Sequence, residues 1–400
     1  MPNPAAMNVG TAVTGSAGAT AGSASNGKGQ SSGVTPFIRA SQLHREGAFF
    51  DKTVTLTANS ADLGSITVPA YGYLRNIVIQ VEASGGAGAA TFAEDGPFTA
   101  LQNIYLSEPN GATIAQFSSG YNLFLANKYG GYVPAPYADP RYSTAFTANT
   151  TGGNFSYILR VPVELNPRDG LGSLPNQNAA SSYTLRLTLA GNGTIYSSVP
   201  ATTQPNVRVR LYLEAWDQPE VSTNGIANQT TPPAMNTTQF WSEQIFPVNS
   251  GQQTIRLTRM GNYIRNLVFV YRRSAGTRAN GEADWPDPLT LYWDTRPLDL
   301  VAKLQWRNQV HERYGYGYNT ESTAGGSTTA GVADTPGQYD NGVFPYDFCH
   351  EFDGNVGYEN RDLWLPTLSS TRWELQGNFA NAGTLTVLTN DVSIAGNVFL

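Results

Sequence analysis

Hydrophobic and polar residues alternate with a period of two along much of the chain. In residues 53–57 this alternation places Val54 and Leu56 on one face, as expected for a half-buried β-strand. Residues 74–81 are apolar more continuously, which is typical of an inner strand covered on both faces. The alternation recurs in further segments: 183–189, 207–213, 254–258, 289–293 and 384–388. The pattern predicts an all-β protein whose strands are joined by long loops rich in Pro and Gly.

Two segments depart from this alternation, and they take corresponding places in the two halves of the chain. Residues 119–129 predict a short helix that is capped by Ser118 or Ser119 and ended by Gly130. Residues 298–314 have apolar positions at helical spacing and are followed by a glycine, which predicts a second helix.

The chain also carries an internal repeat. Residues 73–79 (YLRNIVI) and 263–269 (YIRNLVF) share four identical positions, and the other three are apolar in both. Two shorter matches follow in the same order at a similar offset: 104–107 with 291–294, and 181–187 with 369–375. An offset of about 190 residues is too long for a solenoid or propeller repeat, so each copy is expected to be a whole domain.

Two copies of one β-rich domain and a terminal segment account for the whole chain. The predicted fold class is all-β: two tandem jelly-roll β-sandwiches (a double jelly roll), each with a short helix, plus a mobile N-terminal arm. Long crossing loops and the helix in each copy favour the jelly roll, but alternation alone does not exclude an immunoglobulin-like sandwich. The predicted boundaries are 1–47 for the arm, 48–218 for the first jelly roll, 219–238 for the linker and 239–400 for the second jelly roll.

The predicted arm consists mainly of Gly, Ala, Ser, Thr and Asn over residues 1–35. Such a segment buries too little apolar surface to offset the entropy of ordering it, so we expect it to be mobile. Lys28, Arg39 and Arg45 precede the first acidic residue, Glu46. Two interpretations stay open: a solvated tail, and an arm that becomes ordered against a partner or an acidic membrane surface.

Composition narrows the function classes. The chain has 400 residues, of which 40% are hydrophobic, so it can fill two cores of ordinary size. Charged residues make up only 14%, which leaves room for extensive partner contacts because interface cores are depleted in charge. A net charge of −6 argues against nucleic-acid binding as the main task. The single cysteine excludes an intrachain disulfide, and neither a signal peptide nor a membrane span is expected.

Candidate catalytic residues are few. None of the histidines (His44, His311 and His350) has the spacing of a metal site. Cys349 next to His350 suggests a nucleophile and a base, but adjacent residues on a strand point to opposite faces, which favours a buried and inert thiol.

Two acidic clusters suggest binding or hydrolysis of sugars. Glu351, Asp353 and Asn355 resemble the E-x-D-x-E strand of retaining β-glucanases, but the third position lacks the carboxylate that the reaction needs. A second cluster surrounds Trp285 and suggests either a calcium site or a sugar platform: Asp284, Asp287 and Asp294. Two prolines in this cluster favour a stiff acidic loop instead. No nucleotide-binding motif is present in the sequence.

One run in the first half resembles the first jelly roll of a known family, the double jelly-roll major capsid proteins of tectivirus-like, membrane-containing bacteriophages. The residues that carry this resemblance are 95–98 (DGPF), 104–106 (IYL), 109–111 (PNG) and 119–121 (SGY). The tandem duplication and the overall length support it across most of residues 48–400. The arm departs from the family pattern, because it is rich in Gly, Ser and Thr where the family tends to begin with a helix-forming, Gln-rich segment.

The resemblance implies a structural subunit with no enzymatic activity, no cofactor and no catalytic or metal residues. Three copies would form a homotrimer whose six jelly rolls make a pseudo-hexameric tile of an icosahedral shell around an internal membrane. The implied partners are the protein itself, the minor capsid, penton and membrane proteins of the virion, and a lipid vesicle on the inner side, without direct contact to nucleic acid. The implied location is the virion, with assembly in the host cytoplasm.

Two other function classes stay open from the sequence. A carbohydrate-binding or carbohydrate-cleaving β-sandwich is suggested by Trp285, Trp293 and the pair Glu351 and Asp353. A receptor-binding spike or adhesin is a third class, although spikes usually need one distinctive tip domain and not two matched copies.

Overall fold

The computed structural model describes residues 43–132, 139–165, 170–217, 237–274, 276–278, 281–317, 336–349 and 363–394. The strands of the first half, up to residue 217, are β1 (Leu43–Thr55), β2 (Ala61–Thr67), β3 (Tyr73–Ser84), β4 (Thr91–Phe92), β5 (Leu101–Ser107), β6 (Thr113–Ser119), β7 (Thr147–Ala148), β8 (Phe155–Pro162), β9 (Leu174–Pro175), β10 (Thr184–Leu189), β11 (Tyr196–Ser198) and β12 (Asn206–Trp216). We call this half the first roll.

The second half, from residue 237, is called the second roll. Its strands are β13 (Thr237–Val248), β14 (Gly251–Arg256), β15 (Tyr263–Arg273), β16 (Leu289–Trp293), β17 (Arg296–Val301), β18 (Val343–Asp347), β19 (Leu365–Pro366), β20 (Trp373–Phe379) and β21 (Gly383–Ile394). The α-helices of the described residues are α1 (Gly120–Tyr129), α2 (Asn192–Ile195), α3 (Gly281–Asp284) and α4 (Lys303–Tyr314), and short 3-10 helices lie at Phe98–Ala100 and Pro140–Tyr142.

Both rolls have the same strand order. In the first roll, one sheet runs β1-β12-β3-β8 and the other runs β2-β10-β5-β6. In the second roll, the corresponding orders are β13-β21-β15-β18 and β14-β20-β16-β17. The four strands of one sheet are therefore drawn from distant parts of the sequence, as in a jelly roll. The predicted fold class, two tandem jelly rolls, is confirmed.

The repeated sequences occupy matching positions of the two rolls. Residues 73–79 begin β3, and residues 263–269 begin β15. Leu106 of β5 lies opposite Leu185 of β10, while in the second roll Trp293 of β16 lies opposite Trp373 of β20. Leu106, Leu185 and Trp373 are buried in the core, and Trp293 packs against it while partly buried.

Helix α1 agrees with its prediction in both position and capping. The Ser119 hydroxyl accepts a hydrogen bond from the Tyr121 N–H at 3.1 Å, and the helix ends before Gly130. All ten of its residues are buried, so this helix runs through the protein interior and not along its surface. Its buried polar residues, such as Asn127 and Lys128, therefore need hydrogen-bond or charge partners inside the protein.

The predicted start of the second helix is wrong. Residues 298–301 belong to β17, which pairs with β16, and α4 begins only at Lys303. The apolar positions of this segment suit a strand as well as a helix, and a tight turn with Asp294 at φ 53° folds it back onto β16. The Asp287 carboxylate accepts the Lys303 N–H at 2.9 Å and caps the helix there.

Each long helix also covers a strand edge. The Asn127 side chain of α1 exchanges two hydrogen bonds with the backbone of Arg160 in β8, at 2.7 and 2.8 Å. In α4, the Trp306 indole donates to the Pro345 carbonyl and Arg307 donates to the Val343 carbonyl, both in β18 and both at 2.7 Å. Side chains thus satisfy backbone groups that would otherwise attract another strand.

The predicted arm is too long at its C-terminal end. Strand β1 begins at Leu43, and Arg45 pairs there with Glu214 of β12, so residues 43–47 belong to the first roll. Alternation did not reveal this part of β1 because it lies at the sheet edge with mostly exposed side chains. Residues 1–42 and 218–236 lie outside the described residues, so the character of the arm and the extent of the linker stay predictions. Among the described helices, none is both long and apolar enough to cross a membrane.

Candidate functional site: the junction between the two rolls

The first feature of the junction is a strand contact. Strand β6 of the first roll lies parallel to β13 of the second roll, and Ala115 pairs with Trp241. This pair joins one sheet of each roll into a single larger sheet. Trp241 is 1% exposed, and its ring centroid lies 6.1 Å from that of Phe117. The Glu243 carboxylate accepts the Ser118 N–H at 2.7 Å and its hydroxyl at 2.6 Å, which fixes the register.

The second feature is the capture of the C-terminal end of α1 by the second roll. Arg265 of β15 is 0% exposed and donates to the Gly130 carbonyl at 2.7 Å, while Asn266 donates to the Tyr129 carbonyl at 3.3 Å. The last carbonyls of a helix have no partner within it and carry partial negative charge, so a guanidinium is well suited to this place.

The matching residues of the internal repeat have another role in the first roll. Arg75 donates to the Glu164 carboxylate at 2.8 and 2.6 Å, and Asn76 donates to Glu214 at 3.3 Å, all within that roll. The repeated Arg-Asn pair therefore supports one roll internally and joins the other roll to its neighbour.

The third feature is a buried charge cluster around Lys128. Its ammonium lies 2.7 Å from an Asp340 oxygen, 3.4 Å from an Asp139 oxygen and 2.6 Å from the Gln338 carbonyl. The Arg141 guanidinium lies 2.9 Å from Asp139 and 3.2 Å from Asp340. The side chains of Lys128, Asp139 and Asp340 are 0% exposed, and the two cations balance the two carboxylates.

Charge pairing keeps both carboxylates of this cluster ionised. Burial raises the pKa of Asp340, but Lys128 and Arg141 more than offset that effect, so the pKa lies below its usual value. Burial likewise opposes ionisation of Asp139, yet the hydrogen bond from Arg141 and the charge of Lys128 hold the pKa of that carboxyl well below its usual range. Tyr129 adds a hydrogen bond to Asp340 at 2.9 Å. Because Asp340 comes from the second roll, this cluster joins the two rolls.

A second charge cluster joins the rolls in the opposite sense, with carboxylates from the first roll and guanidinium groups from the second. Arg278 is 1% exposed and donates to Asp95 at 2.8 Å, and its backbone N–H donates to Glu94 at 2.7 Å. Arg272 lies 2.6 Å from Asp95. The Arg278 guanidinium also lies 4.4 Å from the centre of the Tyr121 ring.

The two carboxyl groups of this second cluster differ in their environment. Burial raises the pKa of Glu94 above 4.5, and the nearby guanidinium groups do not fully compensate. Burial also disfavours ionisation of Asp95, but Arg278 and Arg272 more than offset it, so the pKa of Asp95 lies below its usual value. Asp95 therefore stays ionised to lower pH than Glu94 does.

These contacts set the geometry between the rolls. Removing one member of a buried ion pair leaves an uncompensated charge, so such pairs strongly disfavour any displaced arrangement. The strand contact and the helix capture act at different points of the same junction. These contacts therefore favour a single arrangement of the two rolls.

The candidate residues of the sequence analysis do not come together at this junction. His44 stacks on Tyr71 with ring centroids 3.8 Å apart, and His311 lies 3.3 Å from the Tyr316 carbonyl. Cys349 is 0% exposed, consistent with a buried thiol. His350, Glu351, Asp353 and Asn355 lie outside the described residues, so the interpretations that depend on them stay untested.

The acidic cluster around Trp285 is not a binding site. Trp285 is 2% exposed and stacks on Phe344 at 4.1 Å, so its ring cannot act as a sugar platform. Asp284 is paired with Arg273 and Asn381. Its two predicted companions are engaged elsewhere: Asp287 caps α4, and Asp294 accepts the backbone N–H groups of Thr371 and Arg372. Within the described part of the chain, no three His, Cys, Asp or Glu side chains are placed to hold a metal ion.

The sequence analysis missed most of the junction residues. Lys128 and Asp340 are 212 positions apart, and Arg278 and Asp95 are 183 apart, so no local pattern could pair them. Arg265 and Asn266 carried one available signal, since both belong to the strongest internal match. A charged residue repeated inside an apolar strand indicates a buried polar contact, although not the partner.

Two jelly rolls in tandem, each with a helix after the fifth strand of its sandwich, define a double jelly-roll protein. Solved structures with the same fold belong to double jelly-roll major capsid proteins of viruses. One match is in the atomic structure of Sulfolobus Turreted Icosahedral Virus, with 15% identity over 88% of this chain and 91% of that chain and a TM-score of 0.55. Another is the PBCV-1 virus capsid, with 13% identity over 88% of this chain and 93% of that chain and a TM-score of 0.56.

A third match is PBCV-1 VP54 fitted into a reconstruction of the virophage Sputnik, with 12% identity, 88% and 95% coverage and a TM-score of 0.57. At these identities the likeness shows the double jelly-roll fold. No protein-family model matches the chain, and the search of curated proteins gave no match.

Proposed function

We propose that this protein is the major capsid protein of a virus, a structural subunit without enzymatic activity. The observation that carries the proposal is the bonded junction, which joins two equivalent rolls into one building block. Its support is the fold shared with solved virus capsid proteins over 88% of the chain. The low charge content of 14% suits a protein with large contact areas.

The duplication suggests how such a subunit assembles. Three copies with two equivalent rolls each would present six similar lateral faces, so a homotrimer would act as a pseudo-hexameric tile. Hexagonal tiles pack side by side and, with pentons at the vertices, close an icosahedral shell. A rigid junction is needed for this purpose, because a variable angle between the rolls would prevent regular packing.

The remaining features of the proposal concern the inner side of the shell. We propose that the arm, now limited to residues 1–42, lies against an internal membrane of the kind found in tectivirus-like bacteriophages. The partners would be minor capsid, penton and membrane proteins of the virion and a lipid vesicle. With a net charge of −6, direct contact with nucleic acid is not proposed. Assembly would take place in the host cytoplasm.

Light scattering on the purified protein tests this proposal. A stable trimer of about 129 kDa, three times the chain mass of 43.0 kDa, is the expected result. A monomer at all concentrations up to those reached in an assembling shell would contradict it.

The burial of Trp285 in the core removes one of the observations that suggested a carbohydrate-binding protein. Retention on a glycan array, abolished by Trp293→Ala, would revive that alternative.

A further inference from the structure

In each roll the first and the fifth strand of the sandwich lie at sheet edges, and the junction within the chain uses only one strand of each kind. In the first roll these are β1 and β6, and in the second roll they are β13 and β17. Within the chain, β6 of the first roll meets β13 of the second roll. Strands β1 and β17 remain as outer edges of their sheets among the described residues.

These two edges are the counterparts of the edges that already meet. We propose that β17 of one copy docks in parallel beside β1 of a second copy, so that the contact between copies repeats the contact inside the chain. This inference rests on the proposed function, since it specifies the surface that forms the trimer. The contact joins two different surfaces, one from each copy. A ring of three chains has six junctions, three inside chains and three between chains, and it closes if neighbouring rolls are rotated by about 60° at each junction.

The strand pairing gives the expected register on the first roll. Asn76 of β3 and Asn266 of β15 are matching residues of the internal repeat. Asn76 is opposite Glu214 of β12, which is opposite Arg45 of β1. In the same way, Asn266 is opposite Asn390 of β21, which is opposite Trp241 of β13. Arg45 therefore occupies the position of the tryptophan that forms the bridge inside the chain.

The same reasoning gives the register on the second roll. Leu106 of β5 and Trp293 of β16 are matching residues of the second repeat segment. Leu106 lies opposite Ala115 of β6, and Trp293 lies opposite Arg296 of β17. The counterpart of the Ala115–Trp241 bridge is therefore a contact between Arg296 of one copy and Arg45 of the next.

Nearby carboxylates offset part of the repulsion between these two arginines. Arg45 lies 3.2 Å from Glu214 of its own roll, so its charge is already partly neutralised. Glu46, the next residue of β1, is exposed and lies 3.2 Å from His44 of its own roll, so it adds a second carboxylate near this sheet edge.

An exposed leucine next to β17 supports the proposal independently. Leu304 is the second residue of α4 and is 71% exposed, whereas Tyr121, the second residue of α1, is 3% exposed. Tyr121 is covered by Arg278 of the second roll. No third roll follows the second roll in the structure to cover Leu304, so its side chain is exposed. A first roll from another copy would cover it as the second roll covers Tyr121.

Cysteine cross-linking tests the register. Directly opposite residues on neighbouring strands are about 5 Å apart, which suits a disulfide. We expect the double variant Arg45→Cys/Arg296→Cys to give covalent dimers and trimers on oxidation, reversed by reductant, and neither single variant to do so. The control is Arg45→Cys/Thr254→Cys, which places the second cysteine on β14, the opposite edge of the same sheet. The native Cys349 is buried and should not interfere.

A substitution tests the same surface without cross-linking. Leu304→Asp should weaken trimer association by tenfold or more, as expected for a buried apolar anchor, with the approximate size taken from interface substitutions. Val199→Asp is the matched control, because Val199 is 40% exposed in the loop between β11 and β12, beside the end of β1 that is farther from Arg45, and we expect no change. Both variants should keep the wild-type circular dichroism spectrum, since neither side chain is buried.

The outcomes separate this inference from the proposed function. A trimer in light scattering that gives no cross-link through residues 45 and 296, or that cross-links equally through residue 254, would overturn the β1–β17 contact and leave the capsid proposal standing. A trimer unaffected by Leu304→Asp would overturn it as well. A wild-type protein that stays monomeric would refute the proposed function itself.

Discussion

Replacing Lys128 with methionine is the sharpest test of the junction between the rolls. Methionine keeps most of the apolar stem but removes the ammonium, so Arg141 remains as the counter-charge of Asp139 and Asp340. Both carboxylates are fully buried, so water does not replace the lost partner. Removing one partner of a buried ion pair costs about 3–5 kcal/mol. We expect the free energy of unfolding to fall by this amount.

The structure also predicts how this cost combines with a second change. Asp340→Asn removes the negative charge that faces Lys128 while keeping an oxygen that can accept from Tyr129. Because the two residues are in direct contact at 2.7 Å, their effects should not add. The double variant should be more stable than the sum of the single effects predicts, by about 1–3 kcal/mol.

Differential scanning calorimetry at one fixed protein concentration measures these changes. With an unfolding entropy of roughly 2.1 cal/mol/K per residue, a loss of about 4 kcal/mol lowers the melting temperature of this chain by about 5 °C. Arg186→Met serves as the control, because Arg186 is exposed on β10 and its removal should cost less than about 0.5 kcal/mol. Strict additivity of the two single variants, or a Lys128→Met protein that melts with the wild type, would refute the reasoning.

The structure supports two further predictions, and the sequence of the arm supports a third. Burial raises the pKa of Glu94, so the folded protein binds a proton at this carboxyl more tightly than the unfolded chain does. The protonated carboxyl therefore stabilises the folded protein fully below pH 4.5. This stabilisation is lost as the pH rises through the raised pKa. Glu94→Gln should therefore raise the melting temperature at pH 7 and lose this advantage at pH 4; the same gain at both values would contradict the assignment. Arg265→Met leaves the Gly130 carbonyl without its donor and should cost about 2–3 kcal/mol in urea unfolding, whereas an unchanged midpoint would mean that the end of α1 needs no cation. Deleting residues 1–35 should leave the melting temperature nearly unchanged while reducing flotation with anionic lipid vesicles, and a large loss of thermal stability would show that the arm is part of the fold.

Local sequence patterns determined the framework of this protein. Period-two alternation located the inner strands because a half-buried strand must place every second side chain in the core. The first helix could be predicted with its ends, since Ser119 and Gly130 have local reasons to stand at those positions. The repeat at 73–79 and 263–269 revealed the duplication, because both copies begin the same strand of the same sandwich.

Only the tertiary structure decided the features that depend on distant partners. The apolar spacing of residues 298–301 is compatible with a helix and with a strand, and the neighbouring strand β16 settled the matter. Trp285 stood in an acidic, proline-flanked loop that suggested exposure, yet Phe344 and the rest of the core bury it. The junction is the clearest case. Lys128 and Asp340 become partners only when the two complete rolls meet. Their pairing depends on burial at the junction, and neither residue's neighbours in sequence indicate it.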